Sequence, residues 1–395
     1  MTKTKKQIGI LNFAYGNGPF IRTCELALAF NDELERLGGQ RIQFIVPWIY
    51  GDKQARIIRE EFDKRLVPHP DELVLDPVLG EILSGIFYAH SGFSDYLKQW
   101  LENVDIASEK IKKHLSGSIK CRTLSNIPIR LHGENIVVEL SRSPRVVFGV
   151  DCAGYYTSFG YTSQICKKAE EFGGERIDIS RKLLTEASSA AAEVEKRYKI
   201  HAIAWPSTFS AQPDYKPLYS SEVMVPPITD LPEINTDPIE PGVFVTVSGI
   251  PGFEKLYKEA ETFGLKIYCN DPASVPGSVK ALPKIIPNKN IKFQFARSGW
   301  GSVWLSMYCG TPLVVPDFNS QDDPEIFFNN KTIERLGIGV VFKGQKLADL
   351  LGQVETINNN CRMVCGQIKS RWGTLDGNKI CARIFAKDFY RCKIK

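Results

Sequence analysis

The run Arg297-Ser298-Gly299-Trp300-Gly301-Ser302 has the residue types and spacing to hold an anion. It follows an apolar stretch, Ile291 to Ala296, that predicts a buried strand. It precedes Val303 to Cys309, which predicts a helix. Gly310-Thr311-Pro312 stops that helix, and Leu313-Val314-Val315-Pro316 reads as the next buried strand. The first amides of a helix lack internal acceptors, and the helix dipole puts partial positive charge on them. Gly299 and Gly301 let a phosphate approach bare backbone, and Ser302 adds a hydroxyl donor, so the run suits a diphosphate. A tight strand–helix turn without a ligand uses the same residues. After the second strand comes a polar loop, Asp317 to Pro324, then a helix over Glu325 to Leu336 and Gly337-Ile338-Gly339. Gln321, Asp322 and Asp323 supply paired acceptors suited to vicinal hydroxyls, and equally to turns and helix caps.

Two further glycine turns share that setting. Gly16-Asn17-Gly18-Pro19 lies between an apolar strand pattern, Gln7 to Phe13, and a helical pattern, Phe20 to Leu37, with a second strand over Arg41 to Pro47. Ser248-Gly249 follows Val243 to Val247 in the same way. Strand–helix–strand units of this kind imply right-handed crossovers and parallel sheets, hence an α/β protein. For acid–base chemistry the candidates are Asp151 and His90. Arg145 to Val150 reads as a strand, which would put Asp151 at a carboxyl end facing a cleft; a turn or cap is its other use. His90 falls in a predicted loop, Tyr88-Ala89-His90-Ser91-Gly92, whereas His201, among apolar residues, reads as structural. Trp300 could stack on a base or pack the interior.

The chain has 395 residues, 43% hydrophobic and 24% charged, enough for two domains with ordinary cores. A net charge of +5 without a dense basic block argues against nucleic acid; it suits an anionic ligand and leaves room for peripheral contact with a membrane surface. No apolar run is long enough for a bilayer span, and no secretory signal is visible, so a cytoplasmic protein, at most touching the inner membrane surface, is expected. The ten cysteines are scattered, and Cys361 and Cys365, four apart, lack zinc-site spacing, so no metal site is expected. Prolines crowd residues 206 to 241, around one short strand at Glu222 to Val225. The expected division is a first domain over 1–220, a Pro-rich linker over 221–241, a second domain over 242–375 and a C-terminal helix over 376–395.

The succession Ser298-Gly299-Trp300-Gly301-Ser302, Gly310-Thr311-Pro312, Val314-Val315-Pro316, Gln321-Asp322-Asp323 and Leu336-Gly337-Ile338-Gly339 resembles the donor half of GT-B glycosyltransferases. It is most similar to the UDP-glycosyltransferases and to the peptidoglycan N-acetylglucosaminyltransferases that form lipid II. The resemblance implies two Rossmann-like domains facing each other across a cleft. It implies a nucleotide-sugar substrate, UDP-sugar foremost, and an acceptor that is a small molecule or lipid-linked. It implies that Ser248, Gly249 and residues 298–302 hold donor phosphates, that Gln321, Asp322 and Asp323 meet the sugar, and that Gly16, Asn17 and Gly18 form a cleft loop. It also implies that the aromatic segment around Phe87, Tyr88, Phe93 and Tyr96 shapes the acceptor pocket, and that 376–395 packs back on the first domain. The chain has no Asp-x-Asp pair to hold a divalent metal, which agrees with metal-independent transfer and no cofactor.

Two positions depart from that family. A His usually follows the first glycine turn, where Pro19 and Phe20 stand, and a Glu usually lies three residues after the position of Ser302, where Leu305 stands. Both departures keep open a non-catalytic binding protein with a GT-B fold. A nucleotide-sugar 2-epimerase shares the architecture but uses several histidines, and this chain has only five.

Overall fold

The computed structural model describes residues 7–87, 92–172, 176–246 and 252–394. They form two compact units, residues 1–204, 216–228 and 377–395, and residues 205–215 and 229–376. The first unit opens with β1 (Ile8–Phe13), α1 (Asn17–Arg36), β2 (Gln43–Pro47), α2 (Asp52–Leu66), β3 (Leu73–Asp76), α3 (Pro77–Ser84) and α4 (Phe93–Leu115). It continues through β4 (Ser118–Thr123), β5 (Pro128–His132), β6 (Ile136–Arg142), β7 (Ala153–Ser158), α5 (Thr162–Glu171), α6 (Arg181–Glu195), β8 (Ile200–Ala204) and β9 (Glu222–Val225). The second contains β10 (Gly242–Val245), α7 (Glu254–Thr262), β11 (Lys266–Cys269), β12 (Val279–Lys280), β13 (Ile291–Phe295) and α8 (Trp300–Cys309). It closes with β14 (Leu313–Pro316), α9 (Pro324–Leu336), β15 (Gly339–Phe342), α10 (Leu347–Leu351) and α11 (Val354–Trp372), after which α12 (Gly377–Ile394) belongs to the first unit.

The first sheet has the order β5-β4-β3-β2-β1-β6-β7-β8-β9. Its strands are parallel from β3 to β9, and β4–β5 is an antiparallel hairpin at one edge. The second sheet, β12-β11-β10-β13-β14-β15, is parallel throughout. Helices cover both faces of such sheets, so central strands are apolar on both sides, as the fully buried Ile8–Phe13 illustrates. Gly9 serves close packing here: a Cβ on it would lie 2.2 Å from the Phe44 ring. α12 lies against α1 and β7, with Phe389 5.7 Å from Phe30 and Phe385 stacked at 4.7 Å on Tyr155, whose hydroxyl donates to Asp388 at 2.7 Å. Among the described residues, no helix is long and apolar enough to cross a membrane.

Three stretches differ from the sequence expectation. Arg145 to Val150 is not a strand. Its carbonyls are taken by side chains instead: Trp100 Nε1 donates to Arg145 O (2.7 Å), Asn12 Nδ2 to Val146 O (2.9 Å) and Ser108 Oγ to Val147 O (3.0 Å). The β4–β5 hairpin and β3 have no counterpart in the sequence reading, because their short alternating patterns carry little periodic signal. Trp205 to Tyr215 goes with the second unit, where Trp304 Nε1 donates to Pro206 O and Thr332 Oγ1 to Thr208 O. Prolines mark an interruption of regular structure, but not which core the intervening apolar residues join.

Glu195, 2% exposed, accepts hydrogen bonds from the Ser163 amide (3.1 Å) and hydroxyl at the start of α5. Burial pushes its carboxyl up to about 7, against those hydrogen bonds. The native state therefore holds a proton that an unfolded carboxyl has lost by about pH 5. This contribution to stability is complete below the unfolded pKa and is lost as pH rises through about 7. Urea unfolding of Glu195→Gln against the parent should show the variant gaining relative stability between pH 4.5 and 8, by up to about 3 kcal/mol; a flat difference would contradict the assignment.

Candidate functional site

In an open parallel sheet, a ligand crevice forms where the chain order reverses, because adjacent crossovers leave on opposite faces. The second sheet, read outward from β10, has the Rossmann order 3-2-1-4-5-6, and its reversal lies between β10 and β13. The turns that follow these two strands are the ones read from the sequence. Ser248 and Gly249 lie outside the described residues. The other turn is described: Gly299 is the N-cap of α8, and Trp300 and Gly301 begin its first turn.

This helix end is open. Gly301 is exposed, and Gly299 and Ser302 are half-buried. A Cβ built on Gly299 or on Gly301 meets nothing within 4 Å. The amides of Ser302 and Val303 turn back to Gly299 O at 2.9 and 3.2 Å, whereas those of Trp300 and Gly301 have no acceptor within the helix. The underside is fixed. Asn329, fully buried, donates to Ser298 O (2.8 Å) and to Glu325 Oε1 (2.9 Å), and its oxygen accepts from Trp300 Nε1 (2.8 Å) and Thr208 Oγ1 (2.8 Å). Trp300 is 1% exposed, so its ring cannot stack on a ligand; burial of an indole with a satisfied N–H decides the alternative in favour of packing. Ser298 is likewise buried, its hydroxyl directed at Ile326 O. Only the backbone of these two residues belongs to the open turn.

The loop after β14 is ordered by its own polar groups. Asp323 caps α9 by accepting from Glu325 N (2.9 Å), and Asn319 Oδ1 accepts from Gln321 N (3.1 Å). Asp322 forms an ion pair with Arg297, placing a guanidinium beside the turn. Gln321 is exposed. Leu305, on α8, packs against an apolar cluster that includes Phe244, Ile285 and Ile286.

The first sheet reverses between β1 and β6. The turn after β1 is Gly16-Asn17-Gly18, with Gly16 at φ 119° and Asn17 and Gly18 already in the exposed first turn of α1. The Gly16 amide donates to the Tyr50 hydroxyl at 2.6 Å. Tyr15, 42% exposed, stands 5.6 Å from the Tyr50 ring and 5.7 Å from Phe87, an aromatic wall beside the helix end.

Asp151 is not part of this edge. It precedes β7 rather than ending a strand, and Ala153 pairs with Val138 at the level of Gly9. That is roughly 13 Å along the strands from Phe13, where the glycine turn begins. The expectation failed because Arg145–Val150 has strand composition without strand pairing. His90 lies outside the described residues. At the carboxyl end of β3 the structure brings together a pair not read from the sequence: His114 Nε2 lies 2.7 Å from Asp76 Oδ2, while Asp76 Oδ1 caps α3 by accepting from Val78 N and Leu79 N. Only the Asp76-Pro77 helix-start signal was legible; nothing in sequence links it to a histidine 38 residues away. Among the described residues, no cluster of His, Cys, Asp and Glu could hold a metal ion.

No protein-family model matches the chain, and no curated protein does. Solved structures do match over nearly its full length. They include CalG4, the calicheamicin glycosyltransferase, at 13% identity over 99% of this chain and 98% of that one, with a TM-score of 0.54. TcCGT1, solved in complex with UDP, matches at 12% identity over 98% and 100%, with a TM-score of 0.62. A UDP-glucosyltransferase from Polygonum tinctorium matches at 10% identity over 99% and 100%, with a TM-score of 0.58. The chain thus has the GT-B fold of two Rossmann-like domains.

If Asn329 holds the α8 turn from beneath, Asn329→Ala should leave the Trp300 indole and Ser298 carbonyl short of partners in the interior. A loss of about 2–3 kcal/mol in urea unfolding, without change in far-UV circular dichroism, is the expected result; an unchanged midpoint would contradict it.

Proposed function

We propose that the protein is a glycosyltransferase that takes a nucleoside-diphosphate sugar, UDP-sugar foremost, and transfers the sugar to an acceptor hydroxyl without a metal or cofactor. The observation that carries this reading is the open amino end of α8 at the reversal point of the second sheet. The full-length likeness to structures of glycosyltransferases, one of them solved in complex with UDP, supports it.

Transfer breaks the bond between the anomeric carbon and the diphosphate, so negative charge grows on the leaving group. The amides of Trp300 and Gly301, which have no acceptor within the helix, and the Ser302 hydroxyl are donors for that charge. Arg297, held by Asp322, adds positive charge next to it. Gln321 is free to meet sugar hydroxyls, and Asp322 and Asp323 retain acceptor capacity beyond the ion pair and the cap. The Gly16-Asn17-Gly18 turn and the Tyr15–Tyr50–Phe87 wall serve the acceptor. For the acceptor proton the proposal names His114, oriented by Asp76 in the way a general base is held. The acceptor is a small molecule or a lipid-linked one.

A second reading, a binding protein with no turnover, draws on Leu305. Its apolar packing offers no hydrogen bond to a ribose from that position.

Calorimetry with UDP-, GDP- and dTDP-sugars, followed by product analysis, tests the proposal. Because a Cβ at Gly301 meets only open space, Gly301→Leu should fold normally yet bind the nucleotide sugar about 100-fold more weakly, a loss near 3 kcal/mol. Binding of none of the donors, or equal binding by the variant, would remove the proposal; binding without turnover on any acceptor would favour the second reading. His114→Gln should lower kcat about 100-fold at nearly constant KM, as expected for a lost general base; an unaffected kcat excludes His114.

A further inference from the structure

The first unit carries a polar cavity, of about 350 Å³, at the amino ends of β6 and β7, on the sheet edge opposite the glycine turn. Its lining includes Glu139, Asp151, Cys152, Arg197 and Tyr198. Glu139 sits on β6 between β1 and β7, 8% exposed, at a position where a parallel sheet ordinarily carries an apolar residue. A carboxyl group so placed is costly unless it is held and used.

Glu139 is held on one side only. Its Oε1 accepts from the Tyr198 hydroxyl at 2.6 Å and from Asn12 Nδ2 at 2.9 Å, and Asn12 is itself fixed by Val146 O. Gly154, opposite Glu139 on β7, makes this possible: a Cβ there would lie 3.1 Å from the Tyr198 ring, which needs that space to reach the carboxyl. No hydrogen bond from the described residues reaches Oε2, the other carboxyl oxygen of this cavity-lining side chain. Burial raises the pKa of Glu139, against the hydrogen bonds from Tyr198 and Asn12, so the group gains by meeting a cation. Asp151 and Arg197, both exposed, stand at the mouth and form no ion pair among the described residues. A simple anion would meet two carboxyl groups, and a simple cation would meet the guanidinium.

We propose that this cavity binds a small zwitterion of the α-amino-acid class, its ammonium group on Glu139 and Asp151 and its carboxylate on Arg197. The volume lies at the lower end of the range of small-molecule sites. The inference is independent of sugar transfer, since it uses no residue of either glycine turn.

Titration calorimetry of the full chain with each common L-α-amino acid, and with methylammonium and propionate as half-ligands, tests it. At least one amino acid should bind, and each half-ligand should bind more weakly than it. Asp151→Asn and Arg197→Ala, on exposed side chains, should fold and each weaken binding about tenfold or more. Glu139→Gln, which removes the carboxylate from the cavity wall, should likewise weaken binding about tenfold or more. Absence of binding by any amino acid at millimolar concentration would overturn the proposal. So would unchanged affinity in both surface variants, or methylammonium binding as tightly as the best amino acid.

Discussion

The constraint on which this molecule depends is that a helix amino end cannot satisfy its own first amides. In both sheets such an end is placed where the strand order reverses, after β1 and after β13. Neighbouring crossovers leave on opposite faces there, so no helix of the same sheet covers the turn. The unsatisfied amides are thereby left to water or to an anion. Glycine at 299 and 301 keeps the approach clear, because any larger residue would project into that space.

An open face requires a fixed back. In the second unit that back is Asn329, whose amide bridges Ser298, Glu325, Trp300 and Thr208 with no exposure to solvent. The segment 205–215 therefore has a physical role in the unit it joins: it delivers Thr208 to the far side of the turn. The buried Trp300 ring fills the volume beneath the helix start, while its backbone amide stays on the open side. A fully satisfied network of this kind holds one geometry, since breaking any member leaves a buried polar group unpaired.

The first unit solves a related problem differently. Asn12, Glu139 and Tyr198 form a buried network in the centre of its sheet, and the strand-like segment 145–150 is drawn across that face by side-chain donors rather than by a neighbouring strand. This arrangement moves Asp151 to the amino edge and creates the cavity there. At the carboxyl edge, Tyr15, Tyr50 and Phe87 make an aromatic wall beside the α1 start. The two ends of one sheet thus differ in chemistry, one apolar with a bare helix end, the other acidic with a guanidinium.

The sequence alone determined the α/β class, the strand–glycine–helix units and the position of the α8 turn, because these rest on local periodicity and on residues with restricted backbone preferences. The strands at Ile291–Phe295 and Leu313–Pro316 and the helix read from Glu325, which the structure starts at Pro324, were legible for that reason. Tertiary structure decided what local pattern cannot encode. It buried Trp300 instead of presenting it, paired His114 with Asp76 and assigned 205–215 to the second core. It also denied strand pairing to Arg145–Val150, whose composition is that of a strand, because Trp100, Asn12 and Ser108 reached its carbonyls first. Each of these outcomes depends on partners distant in the chain, and the hydrogen bonds that decide them form only once the sheets have brought those partners together.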